Sequence, residues 1–231
     1  MATSNLIAST TYVALLFLTS CQSYSSKEKI VDERDMFEEV VIGNQVWMVQ
    51  NLNVEKFQNG DPITEAKSDE EWIKAGEEGV PVWCYYNNNS DFGTRYGKLY
   101  NGFAINDKRG LAPKGWRIAS DEDWTRLSDF FGGEKVAGKK LKSNTLWADR
   151  EWDGLSGNGD NESGFNGLPG GKRYEDGRFL NLGLAGYWWS FTEESEQSLW
   201  CRALSYIDGG IVKGGNSMRD GFSVRCIKDD Q

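Results

Sequence analysis

The side chains that could carry chemistry in this sequence are carboxylates, cysteines, lysines and tyrosines, because its 231 residues include no histidine. Ser-His-Asp and Cys-His catalysis need an imidazole base, and many zinc and haem sites use imidazole ligands. These classes of enzyme and metalloprotein are therefore excluded in their usual form. The many carboxylates show no spacing that singles out an acid/base pair for glycoside hydrolysis. The sequence thus predicts no catalytic residue.

A loop rich in carboxylates, from Asp149 to Glu162, offers the oxygen ligands that calcium prefers. The candidate ligands are Asp153, Asp160 and Glu162, and calcium is the one cofactor that the sequence suggests. Their spacing does not follow the EF-hand pattern, and Arg150 lies among them. A solvated loop that carries no metal is the alternative interpretation.

Aromatic residues make up 13% of the chain and are candidate sugar-binding groups, because a ring face stacks on the C–H face of a pyranose. Trp147, Trp152 and Tyr174 lie in a long region rich in Gly, Asn and Asp. Trp188 and Trp189 are adjacent in a predicted strand and must point to opposite faces, which predicts one in the core and one exposed. We expect Trp147, Trp152 and Tyr174, with the three carboxylates, to line a shallow ligand-binding face near Trp188 or Trp189. The alternative is that Trp147 and Trp152 pin the loop onto the core.

Composition limits the partners of the chain. Its formal net charge of −9 argues against nucleic acid, since phosphate binding needs a concentrated basic surface. A hydrophobic content of 39% is enough for a substantial core, and 27 glycines against 4 prolines predict many tight turns. We therefore expect a folded domain that binds a glycan or another surface protein.

The first residues indicate a targeting segment. An apolar run from Tyr12 to Leu18, too short to span a bilayer as a helix, leads into Leu18-Thr19-Ser20-Cys21, which resembles a bacterial lipobox. It predicts a lipoprotein signal peptide over residues 1–20, a lipid on Cys21 and a flexible tether over residues 21–38. The protein is then expected in the cell envelope, anchored by lipid to the outer membrane and facing the periplasm or the outside. An ordinary signal peptide with an incidental cysteine is the alternative.

The elements that must position the candidate residues are organised around the stretch from Gly110 to Gly133. A short extended segment, Trp116 to Ala119, leads into a helix with Ser120 at its N-cap and Asp123 three positions later. The remaining elements are a hairpin over residues 40–49, helices after Ser68 and over Glu134 to Leu141, and strands over 179–182, 187–192, 198–206, 210–213 and 222–228. This order predicts one α+β domain over residues 39–231, with two or three short helices and a twisted, mostly antiparallel sheet.

The motifs resemble those of the Fibrobacter succinogenes major paralogous domain, which is common in lipoproteins and surface proteins of the Bacteroidetes–Fibrobacteres lineage. The matching stretches, in order, are Val46 to Asn53, Trp83 to Asn88, Tyr96 to Asn101, Gly110 to Trp124, Asn161 to Phe165, Leu168 to Gly171, Gly186 to Ser190 and Gly221 to Cys226. The segment from Gly115 to Trp124 is also similar to one in C-type-lectin-like and formylglycine-generating-enzyme-like domains.

These resemblances imply a looped, C-type-lectin-like α+β fold in which the hairpin at 40–49 lies beside the last strand. They favour a Cys84–Cys226 disulfide, with Cys201–Cys226 as the rival pairing. Two classes of function stay open. One is a non-catalytic module that binds a glycan or a protein, and the other is an enzyme of the formylglycine-generating group that uses a reactive cysteine such as Cys201.

Overall fold

The computed structural model describes residues 37–229, which form two β-sheets and five α-helices. The strands are β1 (Glu39–Ile42), β2 (Gln45–Met48), β3 (Thr64–Glu65), β4 (Val82–Cys84), β5 (Leu99–Asn101), β6 (Trp116–Ile118), β7 (Gly170–Arg173), β8 (Phe179–Leu182), β9 (Ala185–Ser195), β10 (Ser198–Ser205), β11 (Ile211–Ser217), β12 (Gly221–Phe222) and β13 (Cys226–Lys228). The helices are α1 (Asp69–Glu78), α2 (Gly93–Tyr96), α3 (Gly102–Ile105), α4 (Asp121–Phe130) and α5 (Glu134–Leu141). Within this part of the chain no helix has the length and apolar character needed to cross a membrane.

The small sheet brings the two ends of the domain together. Its strand order is β1-β2-β13-β6, and the β1–β2 hairpin turns at Gly43, whose φ is +61°. Ile227 in β13 pairs with Trp47 in β2, and the Lys228 ammonium lies 2.5 Å from the Glu39 carboxylate in β1. The prediction that the hairpin lies beside the last strand is therefore confirmed.

The large sheet has nine strands, in the order β11-β10-β9-β7-β12-β5-β4-β3 with β8 paired to β7. Most neighbours are antiparallel, and the parallel pairs are β3–β4 and β7–β9. The α+β class and the mostly antiparallel pairing are confirmed. β7 was not predicted, because its sequence Gly-Gly-Lys-Arg lacks the β-branched and aromatic residues that mark a strand.

Three helices have the sequence signals that predict them. The Ser68 hydroxyl accepts a hydrogen bond from the third residue of α1, and the helix ends at Gly79, which has φ of +67°. Ser120 and Asp123 form a reciprocal capping box at the start of α4. Helix α5 has the predicted bounds. The prediction of two or three helices is too low, because α2 and α3 are single turns that begin at a glycine and have too few residues to show a period.

Trp188 and Trp189 are both fully buried, so the prediction that one of them is exposed is wrong. Their side chains do point to opposite faces of β9, but both faces are covered. Trp188 packs with Trp124 and Phe165, whereas Trp189 contacts Phe222 on the other side. These tryptophans therefore join the two halves of the core and offer no ring face to a ligand.

Arg225, Asn51 and Trp188 form the polar centre of the core. The Arg225 guanidinium donates to the backbone oxygens of Met48 (2.9 Å) and Phe165 (2.6 Å) and to Oδ1 of Asn51 (2.9 Å). The Trp188 indole donates to the same Asn51 oxygen at 2.8 Å. Burial lowers the pKa of Arg225 to about 9. These bonds link the hairpin, the long loop, β9 and the last strand.

Candidate functional site

The long loop after α5 is fixed to the core by a buried lysine. The Lys142 ammonium donates to the backbone oxygens of Gly157 (2.8 Å), Ser205 (2.9 Å) and Asp208 (2.8 Å). Burial lowers the pKa of Lys142 to about 8. Since these oxygens belong to the loop and to the end of β10, the lysine holds the loop against the large sheet.

Trp147 lies in this loop and packs inward. Its side chain is 4% exposed, and its indole N–H donates to the Ser143 hydroxyl (3.1 Å) and to the Gly167 oxygen (3.2 Å). The Lys142 ammonium lies 5.2 Å from its ring. This is the loop-pinning arrangement, which leaves no face of the Trp147 ring for a ligand.

Trp152, in contrast, projects from the loop and is 60% exposed. One side of its ring contacts Tyr206 at a centroid distance of 6.2 Å, and the Arg150 guanidinium lies 5.6 Å from the ring. Arg150 is held in turn by an ion pair with Asp153 at 2.9 Å. The ring is thus positioned by neighbours while much of it stays open to solvent.

Exposed apolar residues lie in chain segments that neighbour Trp152 and Tyr206. Arg150 donates from its backbone to the Leu155 oxygen (2.8 Å), and Tyr206 donates likewise to the Leu184 oxygen (2.9 Å). These hydrogen bonds bring the segments of Leu155 and Leu184 next to Arg150 and Tyr206, the two residues that contact the ring, and Ile207 follows Tyr206 in the chain. We call the group the Trp152 face; its members are Trp152, Leu155, Leu184 and Ile207, backed by Tyr206.

Sequence reasoning found Trp152 but missed the three aliphatic members of the Trp152 face. An isolated leucine in a Gly- and Asp-rich loop, such as Leu155, is the only local signal for them. Leu184 and Ile207 come from the ends of different strands, and only the fold of β9 against β10 brings them near the loop.

The three predicted calcium ligands are engaged within the protein instead. Asp153 pairs with Arg150 and accepts from the Leu155 amide, Asp160 accepts from the Glu162 amide, and Glu162 pairs with Lys140 at 3.1 Å. Within residues 37–229 no three His, Cys, Asp or Glu side chains form a group that could hold a metal ion. Asp153, Asp160 and Glu162 therefore do not come together as a metal site in the described structure.

The cysteines of the described domain are free and buried, so the Cys84–Cys226 disulfide is not formed in this structure. The physical reason is location: Cys84 packs with Trp72 and Tyr86, while Cys226 lies in a different apolar cluster. Cys201 shares the cluster of Cys226 but is also a free thiol. Burial raises the pKa of each thiol to about 12.

Tyr174 belongs to a different part of the surface from Trp152. It follows β7, is half-buried, and has the Lys172 ammonium 4.1 Å from its ring. It has no ring contact with Trp147 or Trp152. The aromatic residues of the predicted face are thus split: Trp147 is a core residue, as are Trp188 and Trp189, and Trp152 and Tyr174 lie in separate groups.

A cleft of about 720 Å³ lies between the loops at 53–60 and 111–114. Its charged wall residues are Glu55, Lys56 and Lys114. The wall lacks a cysteine, and the cleft has no pairing of a nucleophile with a base. We therefore do not assign a reaction to it.

Comparison with known proteins identifies the family. No curated protein and no solved structure matches the chain. The family model of the Fibrobacter succinogenes major domain matches residues 40–228, which include both sheets and all five helices but not the first residue of β1. The chain therefore belongs to the Fibrobacter succinogenes major domain family.

Proposed function

We propose that this protein is a non-catalytic binding module of the cell envelope that holds a glycan through the Trp152 face. One observation carries the proposal. All ten tryptophans lie within residues 37–229, and Trp152 alone among them is exposed, at 60%. A positioned, exposed indole ring is the usual platform for the apolar face of a sugar, and exposed apolar groups mark interaction sites.

A protein partner is the second candidate for the same face. Leu155, Leu184 and Ile207 add exposed aliphatic surface to the face, which suits apolar side chains better than hydroxyl groups. A glycan and cell-wall binding array separates the two candidates when it is run beside a capture experiment with envelope proteins. Saturable binding to a purified glycan supports the first candidate.

Substitution of Trp152 tests the face itself. Trp152→Ala is expected to abolish capture of the ligand found on the array while the melting temperature changes little, because the ring is mostly exposed. Trp147→Ala is the matched control: it removes a buried ring from the same loop and should cost roughly 3–5 kcal/mol of stability. If Trp152→Ala destabilises the domain by as much as the control, the ring has a packing role and the proposal fails.

The enzyme alternative depends on a reactive cysteine. Cys201 is 4% exposed, and burial raises the pKa of its thiol to about 12. A catalytic thiol needs the opposite environment, one that is accessible and favours the thiolate. We therefore favour binding over catalysis.

We further propose that Cys21 carries a lipid that holds the domain at the outer membrane. Support comes from the apolar run and the lipobox-like residues Leu18 to Cys21, which lie outside the described residues. Globomycin, which blocks the lipoprotein signal peptidase, should stop processing, and Cys21→Ala should remove detergent partitioning. Unchanged processing and partitioning under both treatments would show that the segment is not a lipoprotein signal.

We also propose that the domain has a C-type-lectin-like fold. Its support is the adjacency of the β1–β2 hairpin and β13, which closes the domain at its ends. An experimental structure superposed on C-type-lectin-like domains tests it. A different strand connectivity in the shared core would refute it.

A further inference from the structure

Lys172 in β7 is a buried residue whose ammonium group has no hydrogen-bond or ion-pair partner among residues 37–229. The residue is 8% exposed. Its Nζ lies 4.1 Å from the ring centroid of Tyr174, 4.8 Å from that of Tyr187 and 6.0 Å from that of Phe222. The aromatic rings stabilise the positive charge, but they accept none of its strong N–H hydrogen bonds.

Two other lysines, which are more deeply buried, have acceptors within the domain. Lys98 donates to the Asn53 side chain at 2.7 Å, and Lys142 donates to three backbone oxygens. The Lys172 ammonium is not among the fully enclosed polar atoms that lack a partner, so it keeps access to solvent. Water, or a ligand that displaces it, is therefore the acceptor for this ammonium.

The face of the sheet that carries Tyr187 is covered at Trp189 and becomes exposed towards β11. Tyr187, Ala203 and Val212 are cross-strand neighbours on β9, β10 and β11, and Val212 is 58% exposed. The Tyr187 hydroxyl accepts from the Asn181 amide at 2.8 Å, which leaves its own proton free to donate. The Lys172 ammonium and the Tyr187 hydroxyl are thus two neighbouring donors without acceptors in the protein, beside the rings of Tyr174 and Tyr187.

Asp220 limits the negative charge of an anion that could bind beside Lys172. It is 5% exposed, and its carboxylate accepts from the Glu175 amide at 3.0 Å but makes no ion pair with Lys172. Burial is the main cause that raises the pKa of Asp220; the Lys172 charge lowers this pKa, and the charges of Glu175 and Asp176 raise it further. With this acid close by, the site suits an anion with one negative charge better than a phosphate dianion.

We propose that Lys172, Tyr174 and Tyr187 form a binding site for the carboxylate of an acidic sugar, a uronate residue of a polysaccharide. The carboxylate accepts from the Lys172 ammonium and the Tyr187 hydroxyl, and the C–H face of the pyranose packs on a tyrosine ring. The site shares no residue with the Trp152 face, so either proposal can fail without the other.

The experiment is an NMR titration of the isotope-labelled protein with methyl β-D-glucuronide at pH 6.5. We expect saturable shifts of the Lys172 side-chain and Tyr187 ring signals. Methyl β-D-glucoside, the neutral counterpart, inorganic phosphate and N-acetylglutamate methylamide should each bind at least about tenfold more weakly, as expected when one charge-assisted hydrogen bond or the sugar contact is lost. Equal binding of the glucoside, of phosphate or of the glutamate derivative would overturn the proposal.

Variants then assign the effect to the site. Lys172→Met keeps the apolar stem between the rings and should weaken glucuronide binding at least about tenfold. Lys213→Met is the matched control: the Lys213 ammonium also lies over a ring, at 3.9 Å from Trp200, but is already paired with Asp121 at 2.7 Å. Tyr187→Phe removes only the hydroxyl and should weaken binding several-fold, whether or not Lys172→Met folds. Wild-type affinity in Tyr187→Phe, or in folded Lys172→Met, would overturn the proposal.

Discussion

At the scale of the residue, buried cations in this domain serve as ties between segments. Lys142 and Arg225 are bound by backbone and amide oxygens, with no carboxylate as partner. Burial lowers the pKa of both residues, because the charged form loses hydration free energy when it is removed from water. Each cation bonds to several segments distant in sequence. The hydrogen bonds offset the desolvation cost of these cations, and they also hold in place loops that have no regular secondary structure.

Asp220 gives a prediction on the pH dependence of stability. Burial raises its pKa from 3.8 to about 6, so the folded state binds a proton that the unfolded state has released between these values. The free energy of unfolding should therefore fall as pH rises from about 4 to 6, by on the order of 2–3 kcal/mol from this group. Asp220→Asn keeps the acceptor for the Glu175 amide and should remove this loss.

Urea denaturation of wild type and Asp220→Asn at several pH values checks the prediction. The variant should equal wild type near pH 4 and exceed it in stability at pH 7. A constant difference between the two proteins across this range would contradict the assigned pKa.

At the scale of the element, a helix that packs closely on the backbone of a neighbouring segment can have only glycine at the contact position. Gly138 lies in the middle of α5, where glycine normally weakens a helix. A Cβ atom there would lie 2.0 Å from the Gly210 oxygen in the turn between β10 and β11. The glycine thus lets α5 pack directly on the turn that Lys142 also holds.

Gly138→Ala should therefore destabilise the domain, although the same change stabilises an ordinary helix interior by up to about 1 kcal/mol. We expect a loss of roughly 2–4 kcal/mol, because the clash is with backbone and forces the helix to move. Lys135→Ala, an exposed position of the same helix, is the control and should change stability by less than about 0.5 kcal/mol. A stabilised Gly138→Ala, measured by thermal or chemical denaturation, would refute the close contact.

At the scale of the whole molecule, residues close in sequence predict the helices and strands, whereas packing between distant segments determines which side chains form a site. The Ser120 capping box and the bounds of α5 follow from residues close in sequence, and they are confirmed. Trp188 and Trp189 are both buried because other parts of the chain pack on both faces of β9. The alternation of residues within the strand does not reveal this packing. Lys172 was missed for the same reason, since its strand has no strand signal and its aromatic neighbours come from elsewhere.

The free thiols give a prediction on the intact molecule. In a Cys21→Ala chain, Cys84, Cys201 and Cys226 should not react with an aromatic disulfide reagent at pH 8 until the protein is unfolded, because burial raises each pKa to about 12. A reducing agent should leave the melting temperature unchanged. A drop in melting temperature on reduction would reveal a disulfide and reinstate the Cys84–Cys226 or Cys201–Cys226 pairing.

Because the first hairpin pairs with the last strand, the two ends of the domain are adjacent, and the domain can be transferred as one unit into another protein. Glu39 and Lys228 lie side by side, so the chain enters and leaves the fold at neighbouring points. Such a unit can be inserted into a surface loop of a host protein, or repeated in tandem, without separating the flanking segments. The same closeness permits circular permutation: a short linker can join the ends, and new ends can open at the exposed loop around Gly60.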